Sequence, residues 1–281
     1  MKKLLPAILL LWLTVSLQAQ QEQSKYLLTN VHQHCGLSIV EFRDPYLSIL
    51  HYQGMGMRLG ANYTRFFNAE NNLLSHTSRI SGMTALTVNP ESTASMIYMG
   101  GTASWGMQYH IRTNKNLMLT AGGNMEGEFG YRMNSRNVNN PVNIDLAANL
   151  NGTVTARYFI HTKKRVMEIH ASYELPLMGM MMVMPPGMLF YELSNSGNFA
   201  SVLHQSGLKN RQGLRQTYRI DIPFRRSTWS FGLRSNMLRY KVNNHIYGMD
   251  EVGVFLGITY DTYRFAGRKR PAPANFVSPK Y

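Results

Sequence analysis

The stretch Ile97-Tyr-Met-Gly-Gly-Thr-Ala-Ser-Trp-Gly-Met-Gln-Tyr-His-Ile-Arg112 decides the architecture. Its odd positions read Ile97, Met99, Gly101, Ala103, Trp105, Met107, Tyr109 and Ile111; the even ones include Thr102, Ser104, Gln108, His110 and Arg112. A helix would mix these two sets, whereas a strand places each on its own face. The alternation outlasts by far the ~5–6 residues usual for a strand in a soluble domain.

The same period continues outward. Leu117, Leu119, Ala121, Met125, Phe129 and Tyr131 oppose Thr120, Asn124, Glu126, Glu128 and Arg132. After Pro141, Val142, Ile144, Leu146, Leu150, Val154 and Tyr158 alternate with Asn143, Asp145, Asn149, Asn151, Thr155 and Arg157. Met167 to Leu175, Leu214 to Phe224 and Val252 to Tyr260 repeat the pattern. Near Arg239 the apolar parity passes from Met237 to Leu238, Tyr240 and Val242, a phase slip that suggests a bulge.

Connections separate a soluble sandwich from a membrane barrel. Tight basic joins at Thr113–Lys115, Thr162–Lys164 and Arg225-Arg226 alternate with longer ones at Asn134–Asn140, Met178–Gln212 and Asn243–Met249. Short periplasmic turns and long external loops are the arrangement of outer-membrane barrels. The expectation is an all-β, antiparallel up-and-down transmembrane β-barrel of ten strands, near 36–43, 54–66, 78–88, 94–112, 116–133, 142–161, 165–177, 213–225, 228–242 and 250–265. Twelve strands is the alternative, because Met178–Gln212 is long enough to hide another pair.

The apolar parity is nearly free of charge. Lys or Arg on a lipid face costs ~2–4 kcal/mol at the midplane, so that exclusion marks the face turned to lipid. Tyr63, Trp105, Tyr109, Phe129, Tyr131, Tyr158, Tyr173, Tyr218, Trp229 and Tyr260 share it and are expected in aromatic girdles. The opposite parity puts Arg58, Arg79, Arg112, Arg132, Arg157, Arg215, Arg219 and Arg234 in the lumen with Glu126, Glu128, Asp145, Glu168, Glu174, Asp221 and Asp261. So balanced a set reads as an ion-paired, closed interior; a narrow polar conduit for small solutes is the alternative.

Composition narrows the rest. The chain has 281 residues, 29 Lys+Arg against 15 Asp+Glu, one cysteine and 44% hydrophobic content. A mean hydropathy of −0.24 rules out a polytopic helical membrane protein. Lys2, Lys3 and the apolar run Leu4–Leu17 read as a signal peptide over 1–19. A periplasmic segment over 20–35, the barrel over 36–265 and a basic periplasmic tail over 266–281 complete the expected organisation. The formal charge of +14 is spread over turns, lumen and tail, without the single basic face that nucleic-acid binding needs.

Asp44-Pro-Tyr-Leu-Ser-Ile-Leu-His-Tyr-Gln-Gly54, the Gly100–His110 strand, Tyr191-Glu192 and Lys209-Asn-Arg-Gln-Gly-Leu-Arg-Gln216 resemble an uncharacterised family of Bacteroidetes-type outer-membrane barrels. The resemblance runs over most of the mature chain. It implies location and fold, and carries over no catalytic residues.

Two constellations invite a sharper reading. His170, Ser172 and Glu174 share one strand face, and Ser with His can build a lipid hydrolase on a barrel. Polar lumen positions are routinely of these types, so no enzymatic activity is expected. Six methionines crowd into residues 178–188. Thioethers can hold Cu(I), but apolar packing is the simpler use, and no cofactor or metal is expected. The expected partners are outer-membrane lipid and another envelope protein, met through Met178–Gln212 or the basic tail.

Overall fold

The computed structural model describes residues 26–263 and 276–279, apart from positions 71, 140, 164, 225, 226 and 243. The expected signal peptide, most of the basic tail and the Arg225-Arg226 turn lie outside the described residues. Thirteen strands follow in chain order: β1 (Tyr26–Leu27), β2 (Thr29–Asp44), β3 (Ser48–Phe66), β4 (Leu74–Val88), β5 (Ser95–Arg112), β6 (Leu117–Asn134), β7 (Val142–His161), β8 (Val166–Met182), β9 (Leu203–Gly207), β10 (Arg211–Pro223), β11 (Thr228–Val242), β12 (His245–Thr262) and β13 (Phe276–Val277).

Ten of these close a cylinder. Each of β2 to β8 pairs antiparallel with its neighbour in sequence, β10 pairs with β11 and β11 with β12. β12 returns to β2, and β8 meets β10, so no edge is left between them. In lipid every backbone donor and acceptor must find its partner internally, which a closed barrel achieves. The chain is therefore an all-β, ten-strand antiparallel barrel.

The extra pair of the twelve-strand alternative gives way to a handover. Residues 168–174 of β8 pair with β10, while Met178–Met182 pair with β9. Pro176 lies between the two stretches. It lacks the N–H a ladder requires, and the register on β7 shifts beside it. β9 and β10 thus behave as one wall strand interrupted at residues 208–210. The β8–β10 seam holds only seven residue pairs, against fifteen for β11–β12.

Three strand starts depart furthest from expectation. The first barrel strand begins at Thr29 rather than near 36, so the segment expected over 20–35 gives its last residues to the wall. Gln33 on the outward parity interrupts the apolar series there, yet β3 and β12 pair with that stretch throughout. β3 starts at Ser48, because Asp44 Oδ1 accepts from Tyr46 N at 3.1 Å and tightens the turn to three residues. β12 starts at His245, which shrinks the loop expected over Asn243–Met249.

The phase slip at Arg239 is not a bulge. β11 keeps its register against β12 from Thr228 to Val242 and against β10 from Thr228 to Tyr240. What changes is chemistry: Leu238, Tyr240 and Val242 point inward, while Arg239 points outward and pairs with Asp250.

Outside, Leu37, Met55, Trp105, Phe129, Val154, Ile220, Val254 and many like them are exposed. Water would not tolerate so continuous an apolar wall, which makes lipid its solvent. Tyr63, Tyr109, Tyr158 and Trp229 lie near the end that carries both termini, called here the terminal end. Inside, Val40, Phe42, Tyr52, Met96, Tyr98, Tyr240, Tyr247 and Met249 form a buried cluster toward the opposite, loop end.

Candidate functional site

The lumen is layered. At the loop end the aromatic and aliphatic cluster fills the bore, and the segment between β8 and β9 covers it. Val183, Met184, Leu193 and Val202 of that segment join the cluster. Tyr247 Oη donates to Met184 O at 3.0 Å, and Tyr46 Oη to Met188 O at 3.0 Å. Burial, reinforced by the Asp44 carboxylate, pushes the Tyr46 phenol above its ordinary pKa, so it stays a donor. A short helix, Phe190–Ser196, is closed by Gly197 at φ 63°, a left-handed position that glycine takes without strain. Gly100 serves the bore in another way. A Cβ there would lie 2.1 Å from the Tyr98 hydroxyl, so its absence admits the ring.

Beneath lies a belt of ion pairs. Arg58 forks onto Glu251 at 2.9 and 2.6 Å. Arg132 reaches Asp44 at 2.9 Å and Asp145 at 2.7 Å, its guanidinium 5.4 Å from the Phe42 ring centre. Arg215 bridges Glu126 at 2.8 Å and Glu174 at 2.6 Å. Glu174 also accepts from Arg79, from Asn124 at 3.2 Å and from Asn151 at 3.3 Å. Arg211 meets Glu128 at 2.6 Å. Buried charges survive only with such pairing and extra hydrogen bonds, and this belt supplies both.

Toward the terminal end the pairs continue as Arg157 with Glu168 and Arg219 with Asp221 at 2.9 Å. A polar cavity of about 160 Å³ opens among His32, His34, His170, Ser172, Arg219 and Arg234. Pro279 borders it, its carbonyl accepting from Arg157 at 2.9 Å.

The structure thus brings together Arg58, Glu126, Glu128, Asp145, Arg157, Glu168, Glu174, Arg215, Arg219, Asp221 and Arg234 inside the barrel. Arg112 and Asp261 follow the inward parity but stand at strand ends and are exposed, outside the belt. Asp44, Arg211 and Glu251 belong to it and were missed. Glu251 was legible, since Val252 and Val254 face outward. Asp44 and Arg211 sat in stretches expected to be loops.

The two sharper constellations can both be located. Ser172 Oγ accepts from Thr155 at 3.0 Å, and with His170 it faces the lumen, away from acyl chains. The methionines divide, with Met178 and Met180 exposed outside and Met181 and Met184 buried within. Among the described residues no group of three or more His, Cys, Asp or Glu is placed to hold a metal ion.

A closed ten-strand cylinder with an apolar exterior and an ion-paired bore defines the chain as a transmembrane β-barrel of the outer membrane. The family model described as "Protein of unknown function (DUF3316)" matches residues 4–269, and the chain belongs to that family. No curated protein matches it in sequence. Among solved structures it is similar to the outer membrane protease OmpT from Escherichia coli, at 7% identity and a TM-score of 0.46, covering 84% of this chain and 96% of that one. The transport unit of the autotransporter AIDA-I from Escherichia coli is similar at 10% identity and 0.44, covering 86% and 91%. The translocator domain of the autotransporter NalP from Neisseria meningitidis follows at 7% identity and 0.38, covering 90% and 92%.

Proposed function

We propose that this barrel is a closed, non-enzymatic structural or accessory component of the cell envelope, acting through its loop face rather than its bore. One observation carries the reading: the loop end of the lumen is filled by a core in which Phe42, Met96, Tyr52 and Tyr247 are at most 2% exposed. Beneath it the belt ties Arg58, Arg79, Arg211 and Arg215 to carboxylates. Tyr191, Phe199 and Leu208, in or beside the segment between β8 and β10, are exposed at 71%, 53% and 57% and offer apolar contacts for another envelope protein. In this reading the terminal end is periplasmic and the loop end external. The Bacteroidetes-type likeness of the motifs belongs to it too, since the family match names no lineage.

Two measurements test it. In a planar bilayer the purified barrel is expected to show no stepwise current; steady ohmic conductance would overturn the closed reading. Mild-detergent isolation from native membranes, with intact-complex mass, is expected to return a fixed stoichiometry that Tyr191→Ala with Phe199→Ala abolishes. A clean monomer would sink the accessory role.

A further inference from the structure

The belt pairs Arg132 and Arg211 with carboxylates, although Nε of each lacks a hydrogen bond; the cavity below it leaves more groups unmatched. His32 is 5% exposed and faces the cavity, and neither of its ring nitrogens has a hydrogen-bond partner among the described residues. The same holds for both ring nitrogens of His34 and for Nε of Arg234. Orphaned buried polar atoms of this kind, one N–H and one acceptor nitrogen on each neutral ring and an N–H on the guanidinium, are rare in folded proteins, because each costs the full desolvation of its group.

Charge sharpens the point. Arg79, Arg157, Arg215, Arg219 and Arg234 all border the cavity; the first four are paired with Glu174, Glu168 or Asp221, which leaves Arg234 as the guanidinium there without an ion-pair partner among the described residues. Glu174 is already saturated by Arg79, Arg215, Asn124 and Asn151. Glu251, close to Arg234, is held bidentately by Arg58. The pocket therefore presents the uncommitted Arg234 guanidinium beside an N–H from each of His32 and His34. A cation would be repelled by the guanidiniums, whereas a tetrahedral oxyanion accepts from several donors at once and suits the fork of an arginine.

We propose that the terminal half of the lumen is an anion-binding pocket in which Arg234, His32 and His34 take a small oxyanion of phosphate or phosphomonoester type. The belt and the loop-end core stand above it, so the ligand enters and leaves at the terminal end, past Pro279. The proposal is independent of any partner at the loop face.

The test uses the full-length barrel folded in detergent, titrated calorimetrically with inorganic phosphate at pH 7 and constant ionic strength. Saturable one-to-one binding is expected, weakened at least tenfold in Arg234→Gln and largely kept in Arg234→Lys. Heat-modifiable gel migration verifies folding, and His32→Gln replaces Arg234→Gln should the latter not fold. Native mass spectrometry of barrel purified from membranes distinguishes the sources. One phospholipid mass retained by the wild type and lost in the variant identifies a lipid headgroup; phosphate binding without it identifies a soluble ligand. No saturable binding and no retained lipid, or binding equal in wild type and variants, overturns the proposal.

Discussion

At the scale of single residues, this barrel separates charges by whether they can be left alone. Glu251 is 2% exposed and matched to Arg58 by two hydrogen bonds. Removing one partner of a buried pair strands the other, at about 3–5 kcal/mol, whereas replacing both with apolar groups costs far less. Glu251→Gln is therefore expected to lower the urea midpoint of the detergent-folded barrel markedly. Adding Arg58→Leu to Glu251→Leu is expected to recover most of that loss. On the other face, Val254 is 60% exposed to lipid between Leu37 and Leu233. Val254→Arg is expected to cost about 2–4 kcal/mol in lipid-vesicle refolding. An arginine at position 41, where Glu41 already faces outward beside Arg43 near the loop end, should cost far less. Equal costs at the two positions would contradict the assignment of the lipid band.

At the scale of elements, the shortest seam is where the wall should open first. Amides across Arg215–Asp221 and residues 168–174 of β8 are expected to exchange deuterium before those between β6 and β7. A disulfide between the register partners Ala171 and Tyr218, made by Ala171→Cys with Tyr218→Cys in a Cys35→Ser background, should raise the thermal midpoint. The segment over the lumen has its own pH limit. Folding raises the Tyr46 pKa above its ordinary value of 10.0, so the unfolded chain ionises first. That contribution is intact below pH 10 and is lost as pH climbs from there through the raised value. Protease cutting between β8 and β9 should therefore rise only in that alkaline range. The strands themselves were legible because alternation of apolar and polar residues survives wherever lipid and a polar bore lie on opposite faces. It was not legible at β2, where Gln33 interrupts the outward series. At Arg239 the inside becomes apolar, and the same pattern imitates a shift in register. Much of the charged belt was readable from parity, but not Asp44 and Arg211, which lay in stretches read as loops; its pairings were not readable, because Arg58 and Glu251 lie 193 residues apart and meet only through closure of the sheet. The cavity's unmatched histidines carried no signal either, since His32 and His34 fell in a stretch read as lying outside the barrel.

At the scale of the molecule, orientation and height follow from the same layering. With Cys35 replaced, cysteine at Glu91 in the β4–β5 loop should react with an impermeant maleimide on intact cells, and cysteine at Asn114 in the β5–β6 turn should not. The reverse labelling would invert the proposed topology. Wall strands run from 13 to 20 residues, while ~9–11 suffice to cross a bilayer. Their surplus is of another kind: around β2, β3, β11 and β12 the outer surface carries Glu41, Arg43, His51, Arg239 and Asp250, while Phe42, Tyr240 and Tyr247 fill the inside. That places charge outside and aromatic rings inside, the reverse of the membrane part, although Ile49 and Ile246 are exposed there too. The upper storey is thus a soluble domain made without an inserted one, by letting the same strands run on past the lipid. Anything that approaches from that side meets a stiff, charged turret instead of slack loops.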